Sequence, residues 1–105
     1  MKFVLFSKLY SEAFEYDDLD MYIAERGWQE WMEDFETTDV AKILTEIYLL
    51  AHATLKETRE RLGISRAAFG RMYNISVRNL ENWDTGKAQL LPYWKTLLDY
   101  SLFMR

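Results

Sequence analysis

At 105 residues, the chain has room for one domain and a small extension, and the absence of cysteine excludes disulfides, thiol catalysis and cysteine-based metal sites. Half of the residues are apolar and 16% are aromatic, enough for a buried core, while four glycines and one proline disfavour a strand-and-turn architecture. The net charge of −4 conceals a division: residues 1–53 carry four Lys/Arg against twelve Asp/Glu, whereas residues 54–105 carry nine against five, which makes the first half −8 and the second +4.

The N-terminal run Phe3-Val4-Leu5-Phe6 is too short for a signal-peptide core or a membrane span. With no cysteine, this leads to the expectation of a cytoplasmic protein without a membrane partner. Residues 2–16 are apolar and aromatic without clear periodicity, and read as a short helix or an extended arm. Asp17 and Asp18 can start a helix against its dipole, with Leu19, Tyr22 and Ile23 on one stripe. Trp28, Trp31, Met32 and Phe35 form a second stripe, out of phase with the first and separated from it by Gly27, so two short helices or one kinked helix are predicted. Their helical spacing assigns Trp28 and Trp31 to the core, and Trp83 and Trp94 are core candidates as well.

Thr37, Thr38 and Asp39 supply N-caps for a helix with a broad apolar face, Val40, Ile43, Leu44, Ile47, Leu50 and Ala51, that ends near His52. Thr54 and Glu57 have the spacing of a capping box for a helix over 55–62, on which Arg59 and Arg61 read as surface charges pairing locally. Gly63 suits the left-handed position past that helix, and Ser65 can cap the next, in which Phe69, Met72 and Tyr73 share a stripe. The smallness of Gly70 predicts close approach of a neighbour, and Asn74 tolerates a left-handed turn. Ile75 plugs that turn. Ser76 caps a further helix with Val77, Leu80 and Trp83 at i, i+3 and i+6; Leu80 and Trp83 are assigned to the core, and Val77 can tip outward. Thr85-Gly86 closes it. A last helix, 92–104, begins at Pro92, a favourable first-turn residue, and is apolar on more than one side, so that one side needs the N-terminal half or a second copy of the chain.

The stretch LKETRERLGISRAAFGRMYNISVRNLENWDTGK, residues 55–87, resembles the phage-repressor-like (XRE-type) helix-turn-helix family, in which a first helix ends in Gly, the second follows Ser or Thr, and the third ends in Trp-acidic-x-Gly. The helix from Pro92 onward resembles the closing helix of that family, so the likeness covers about half of the chain. It departs from the family at Asn74, where Gly is usual, and in the loop Ala88-Gln89-Leu90-Leu91, which is more apolar than the usual basic loop.

The resemblance implies a lambda-repressor-like helix-turn-helix in an all-α chain, with an acidic, Trp-rich helical extension at 1–38 and the DNA-binding domain at 39–105. The reader helix then presents Ser76, Val77, Arg78, Glu81 and Asn82 to base edges: Arg78 suits guanine, Asn82 adenine, and Glu81 the amino group of cytosine. Arg66, Arg71, Asn79 and Lys87 are candidates for phosphate contacts. Expected partners are double-stranded DNA and a second copy of the chain on a palindromic site, in a small transcriptional regulator of a bacterium, phage or mobile element. A second reading is a protein-interaction module whose acidic half binds a basic partner, like an antitoxin or a phosphate mimic that blocks a nuclease. Asp17/Asp18 and Glu33/Asp34 are adjacent in sequence and point apart on a helix, His52 has no cysteine to join it, and no glycine-rich phosphate loop is present; no enzyme, metal or cofactor is expected.

Overall fold

Capping residues and apolar spacing divide the chain into helices, and the computed structural model, which describes residues 1–105, is all-helical. In order these are α1 (Phe3–Ala13), α2 (Leu19–Ala24), a short 3-10 helix (Glu30–Asp34), α3 (Thr37–His52), α4 (Leu55–Leu62), α5 (Arg66–Tyr73), α6 (Val77–Thr85) and α7 (Pro92–Met104). No helix is long and apolar enough to cross a membrane. Two compact units result, one of residues 1–52 with 98–105 and the other of residues 53–97. The units therefore part at 52/53 rather than at the 38/39 division expected from the sequence, because α3 spends its apolar face on the N-terminal helices.

The first unit is built on aromatic packing. Phe6, Leu9, Tyr10 and Ala13 recur at i, i+3, i+4 and i+7 on α1 and are buried with Leu44, Ile47, Tyr48, Leu50 and Ala51 of α3. Phe3 and Leu5, on other sides of α1, are half-buried against the same core. This wide apolar surface is why the sequence of α1 shows no clear period. The ring of Phe6 lies 5.3 Å from that of Phe103 and 5.1 Å from that of Tyr100, both on the end of α7. The buried Tyr10 hydroxyl donates to Asp99 Oδ2 at 2.7 Å, which gives a carboxylate inside the core a partner.

Asp18 caps α2 by accepting from the Asp20 amide at 2.7 Å. The buried Tyr22 donates to the Leu9 carbonyl at 2.8 Å, and the Arg26 guanidinium sits 4.2 Å from its ring centre while pairing with Glu12 at 2.6 Å. Burial pushes the Tyr22 hydroxyl up to about 12, against a smaller opposing pull from Arg26. Beyond Gly27 the chain turns into the 3-10 helix, which satisfies the expectation of two short elements. The tryptophans there depart from expectation: Trp28 is 71% exposed, and Trp31 is half-buried with its indole N–H donated to Gln29 Oε1 at 2.7 Å. The element carrying them is one 3-10 helix of five residues, too short and too tightly wound to turn a 3.6-residue stripe toward the core.

The second unit is built on caps and one ion cluster. Thr54 and Glu57 form the predicted reciprocal box, the Thr54 amide donating to Glu57 Oε1 at 2.9 Å and the Glu57 amide to Thr54 Oγ1 at 3.1 Å. These bonds hold the Glu57 carboxyl below the usual carboxylate range. Ser65 accepts from the Ala68 amide and Ser76 from the Asn79 amide, each at 3.1 Å, so α5 and α6 are both capped as the sequence predicts. Asn74, at φ +54°, takes the left-handed turn between them, and its neighbour Ile75 donates its amide to the Gly70 carbonyl at 2.9 Å. A Cβ on Gly70 would stand 2.6 Å from the Ile75 carbonyl oxygen and 3.7 Å from Leu80 Cδ1, so only glycine allows this approach. Leu55, Phe69 and Leu80 are buried. Trp83, assigned to the core, is half-buried, and Trp94, a core candidate, is 58% exposed; Met72, on the stripe of Phe69, is exposed. On α5 and α6 a single large side chain each, Phe69 and Leu80, is fully buried, and the flanking members of each stripe reach solvent.

Candidate nucleic-acid interface

The α5–α6 pair is held by a carboxylate that apolar spacing does not reveal. Asp84, in the last turn of α6, is buried and pairs through Oδ2 with the buried Arg59 of α4 and with Arg66 of α5, whose Nε and second terminal nitrogen donate at 3.2 and 3.1 Å. Three helices meet on one oxygen. Arg59 is thus no surface charge pairing within its own helix: it is 4% exposed, and its partner lies 25 positions along the chain. Arg61, its neighbour, is exposed. A buried guanidinium without a partner is costly, so Asp84 and Arg59 require each other. The only hint in the sequence is that Asp84 belongs to the closing Trp83-Asp84-Thr85-Gly86, which by itself indicates only where a helix ends.

Arg66 is also claimed from the other side, by Glu81 Oε1 at 3.4 Å. Of the residues expected to touch phosphate, Arg66 is therefore engaged by two acids, whereas Arg71, Asn79 and Lys87 stand exposed. Of those expected at base edges, Ser76, Val77, Arg78 and Glu81 are exposed and Asn82 is half-buried. The Ser76 oxygen already accepts the Asn79 amide, which fixes the hydroxyl at the entrance to α6. Val77, 42% exposed, is turned outward, consistent with its place ahead of the first buried residue of the helix, Leu80. Arg78, Glu81 and Asn82 follow at i, i+3 and i+4 and share one side of α6.

The electrostatic division follows the compact units. Residues 53–97 carry eight Lys/Arg against four Asp/Glu, a balance of +4; residues 1–52 with 98–105 carry five against thirteen, a balance of −8. Two of the four acids in the basic unit, Glu81 and Asp84, face Arg66 or Arg59, while Arg71 before the α5–α6 turn, Arg78 after it and Lys87 beyond the end of α6 are exposed. His52 closes α3, stacks on Tyr48 at 4.1 Å and places Nε2 2.7 Å from the Ala13 carbonyl, in keeping with a helix-end residue. Comparison with protein-family models, with characterised proteins and with solved structures gives no significant match.

Proposed function

We propose that the chain is a sequence-specific DNA-binding protein, a transcriptional regulator acting in the cytoplasm, whose α5 and α6 form a helix-turn-helix with α6 as the reader. The supporting observation is the exposure of Val77, Arg78, Asn79 and Glu81 at the start of a helix whose Ser76 cap, Asn74 turn and buried Asp84 fix its direction. The +4 balance of this unit favours phosphates, and a helix N-terminus suits an anion. Arg78 offers a fork to a guanine edge, and Asn82 and Glu81 lie one turn further along. Arg71 and Lys87 neutralise phosphates; Arg66 serves chiefly to position α5 against α6 through Asp84. A chain of this size covers few base pairs, so two copies on a palindromic site complete the reading.

Selection of bound duplexes from a random pool tests this directly. One preferred sequence should emerge, and its affinity should fall steeply with salt, by a slope of about −0.9 per phosphate neutralised. Arg78→Ala should lose about 1–3 kcal/mol of discrimination at one base pair while folding normally. A pool that enriches nothing, or an Arg78→Ala variant with unchanged preference, would overturn the assignment.

The second reading, a module for a basic protein partner, is favoured by the −8 unit and by the exposure of Trp28 among Glu25, Glu30 and Glu33. A phosphate mimic of that kind should show no measurable affinity for any duplex at low salt.

A further inference from the structure

The cluster around Asp84 is one negative charge short. Arg59 and Arg66 both donate to Asp84 Oδ2, so one carboxylate faces two guanidinium groups, and the Arg59 and Asp84 side chains are sealed from water. Glu81 makes up the difference from outside. It stands three positions before Asp84 on α6, its side chain 52% exposed against 3% for Asp84, and accepts from Arg66 Nη1 at 3.4 Å. The two contacts of Arg66 differ in kind. Nε and Nη2 both donate to the buried carboxylate, at 3.2 and 3.1 Å, and hold the guanidinium in place. Nη1 is left to a carboxylate at the surface, over a distance well beyond the roughly 2.8 Å of a firm charged hydrogen bond. An exposed pair of this kind is weak, and another anion can replace it.

We infer that Glu81 is a specificity-determining residue: in the free protein it occupies the place of a DNA phosphate at Arg66 Nη1, and it yields that place only where a base edge takes its carboxylate in exchange. The inference rests on the DNA-binding reading and adds a coupling between its phosphate and base contacts. On α6, Glu81 has Arg78 three positions before it and Asn82 beside it, so it lies on the side assigned to base edges while reaching back to Arg66. Exchanging Glu81 for a phosphate leaves the charge of Arg66 neutralised, and Asp84 keeps the other two nitrogens throughout. Glu81, once released, needs a donor. An amino group on the edge of cytosine or adenine supplies one. Over a base that offers only acceptors the carboxylate is repelled, so Arg66 stays paired and the phosphate goes unclaimed. A phosphate contact, which by itself carries no sequence information, thereby becomes conditional on the base.

The affinity of the full chain for a duplex of unrelated sequence, measured across salt concentrations, tests this. Glu81→Gln should bind that duplex several-fold more tightly than the parent, with the slope of affinity against salt steeper by about 0.9, one further phosphate, and should discriminate less between that duplex and the selected site. Glu60→Gln removes the same charge from an exposed position of α4 and should leave the slope unchanged. Arg66→Gln completes the cycle: it should weaken binding of the unrelated duplex several-fold in the Glu81→Gln background and little in the parent background. Chemical denaturation checks that each variant is folded. Where Arg66→Gln is not, side-chain nitrogen NMR follows the Arg66 guanidinium, whose Nη1 signal should shift on adding the unrelated duplex to Glu81→Gln and stay in place in the parent. Equal effects of Arg66→Gln in both backgrounds, a slope that Glu81→Gln does not steepen, or a signal that moves alike in both proteins would each overturn the inference. The DNA-binding reading survives any of these if a random pool still enriches one sequence; a chain that binds no duplex sinks both.

Discussion

The two compact units reach stability by different routes. In the first, Phe6, Tyr10, Tyr22, Tyr48, Tyr100 and Phe103 bring rings together, and polar groups enter as tyrosine hydroxyls with acceptors, the Asp99 carboxylate among them, or as a guanidinium lying on a ring. In the second, helices of eight or nine residues are too short to bury much, and their ends carry the structure instead: side-chain caps at Thr54, Ser65 and Ser76, left-handed closures, and one aspartate joining α4, α5 and α6. Packing is non-directional and tolerates a surface of any sign; caps and ion pairs fix direction. A unit that must present Arg78 at a set angle gains from the second route.

Asp84→Ala is the sharpest way to break the contrast. Leaving Arg59 buried without its carboxylate should cost about 3–5 kcal/mol, read as a fall in the midpoint of chemical denaturation, and Asp84→Asn should recover only part of it. A loss below about 1 kcal/mol, the worth of an exposed pair, would show that the second unit does not depend on its ion cluster. Gly70→Ala comes next. Its Cβ would meet a backbone carbonyl at 2.6 Å, and the shift needed to relieve this should cost about 1–3 kcal/mol; a gain in stability, as expected for Gly→Ala in an unconstrained helix, would show that α5 and α6 are not closely apposed.

The smallest effect sharpens the contrast through pH. Glu57, its folded pKa lowered by the Thr54 amide, contributes stability that is present above the ordinary value of 4.5 and lost as pH falls through that region. Tyr22, raised to about 12 from 10.0, contributes stability that is complete below pH 10 and lost as pH rises toward 12. Mild acid should therefore weaken the second unit and alkali the first. Melting curves of Glu57→Gln, flatter on the acid side, and Tyr22→Phe, flatter on the alkaline side, check each arm.

What the sequence made legible was local. Thr54/Glu57, Gly63, Ser65, Asn74, Ser76 and Gly86 each act on residues one to five positions away, and each occupies its predicted role. The core of α3 was legible for a related reason, since a sixteen-residue helix repeats its stripe often enough to be seen. Burial decided by distant partners was hidden. Arg59 looked like surface because Asp84 is 25 positions away. Trp28 and Trp94 looked like core because a tryptophan at helical spacing is indistinguishable from one on a helix with nothing to pack against. Of the site residues, Asn82 is half-buried rather than exposed, and Arg66 pairs with Glu81 and Asp84, partners 15 and 18 positions away that its own helix does not announce.

One helix is shared, in that residues 92–97 of α7 belong to the second unit and residues 98–104 to the first. The aromatic unit is therefore discontinuous in the chain: Tyr10 and Phe6 meet Asp99 and Phe103 more than 80 positions later, whereas Asp84 meets Arg59 across 25. Closing the aromatic unit thus fixes a far longer loop, at a larger entropic cost, than closing the unit with the exposed arginines.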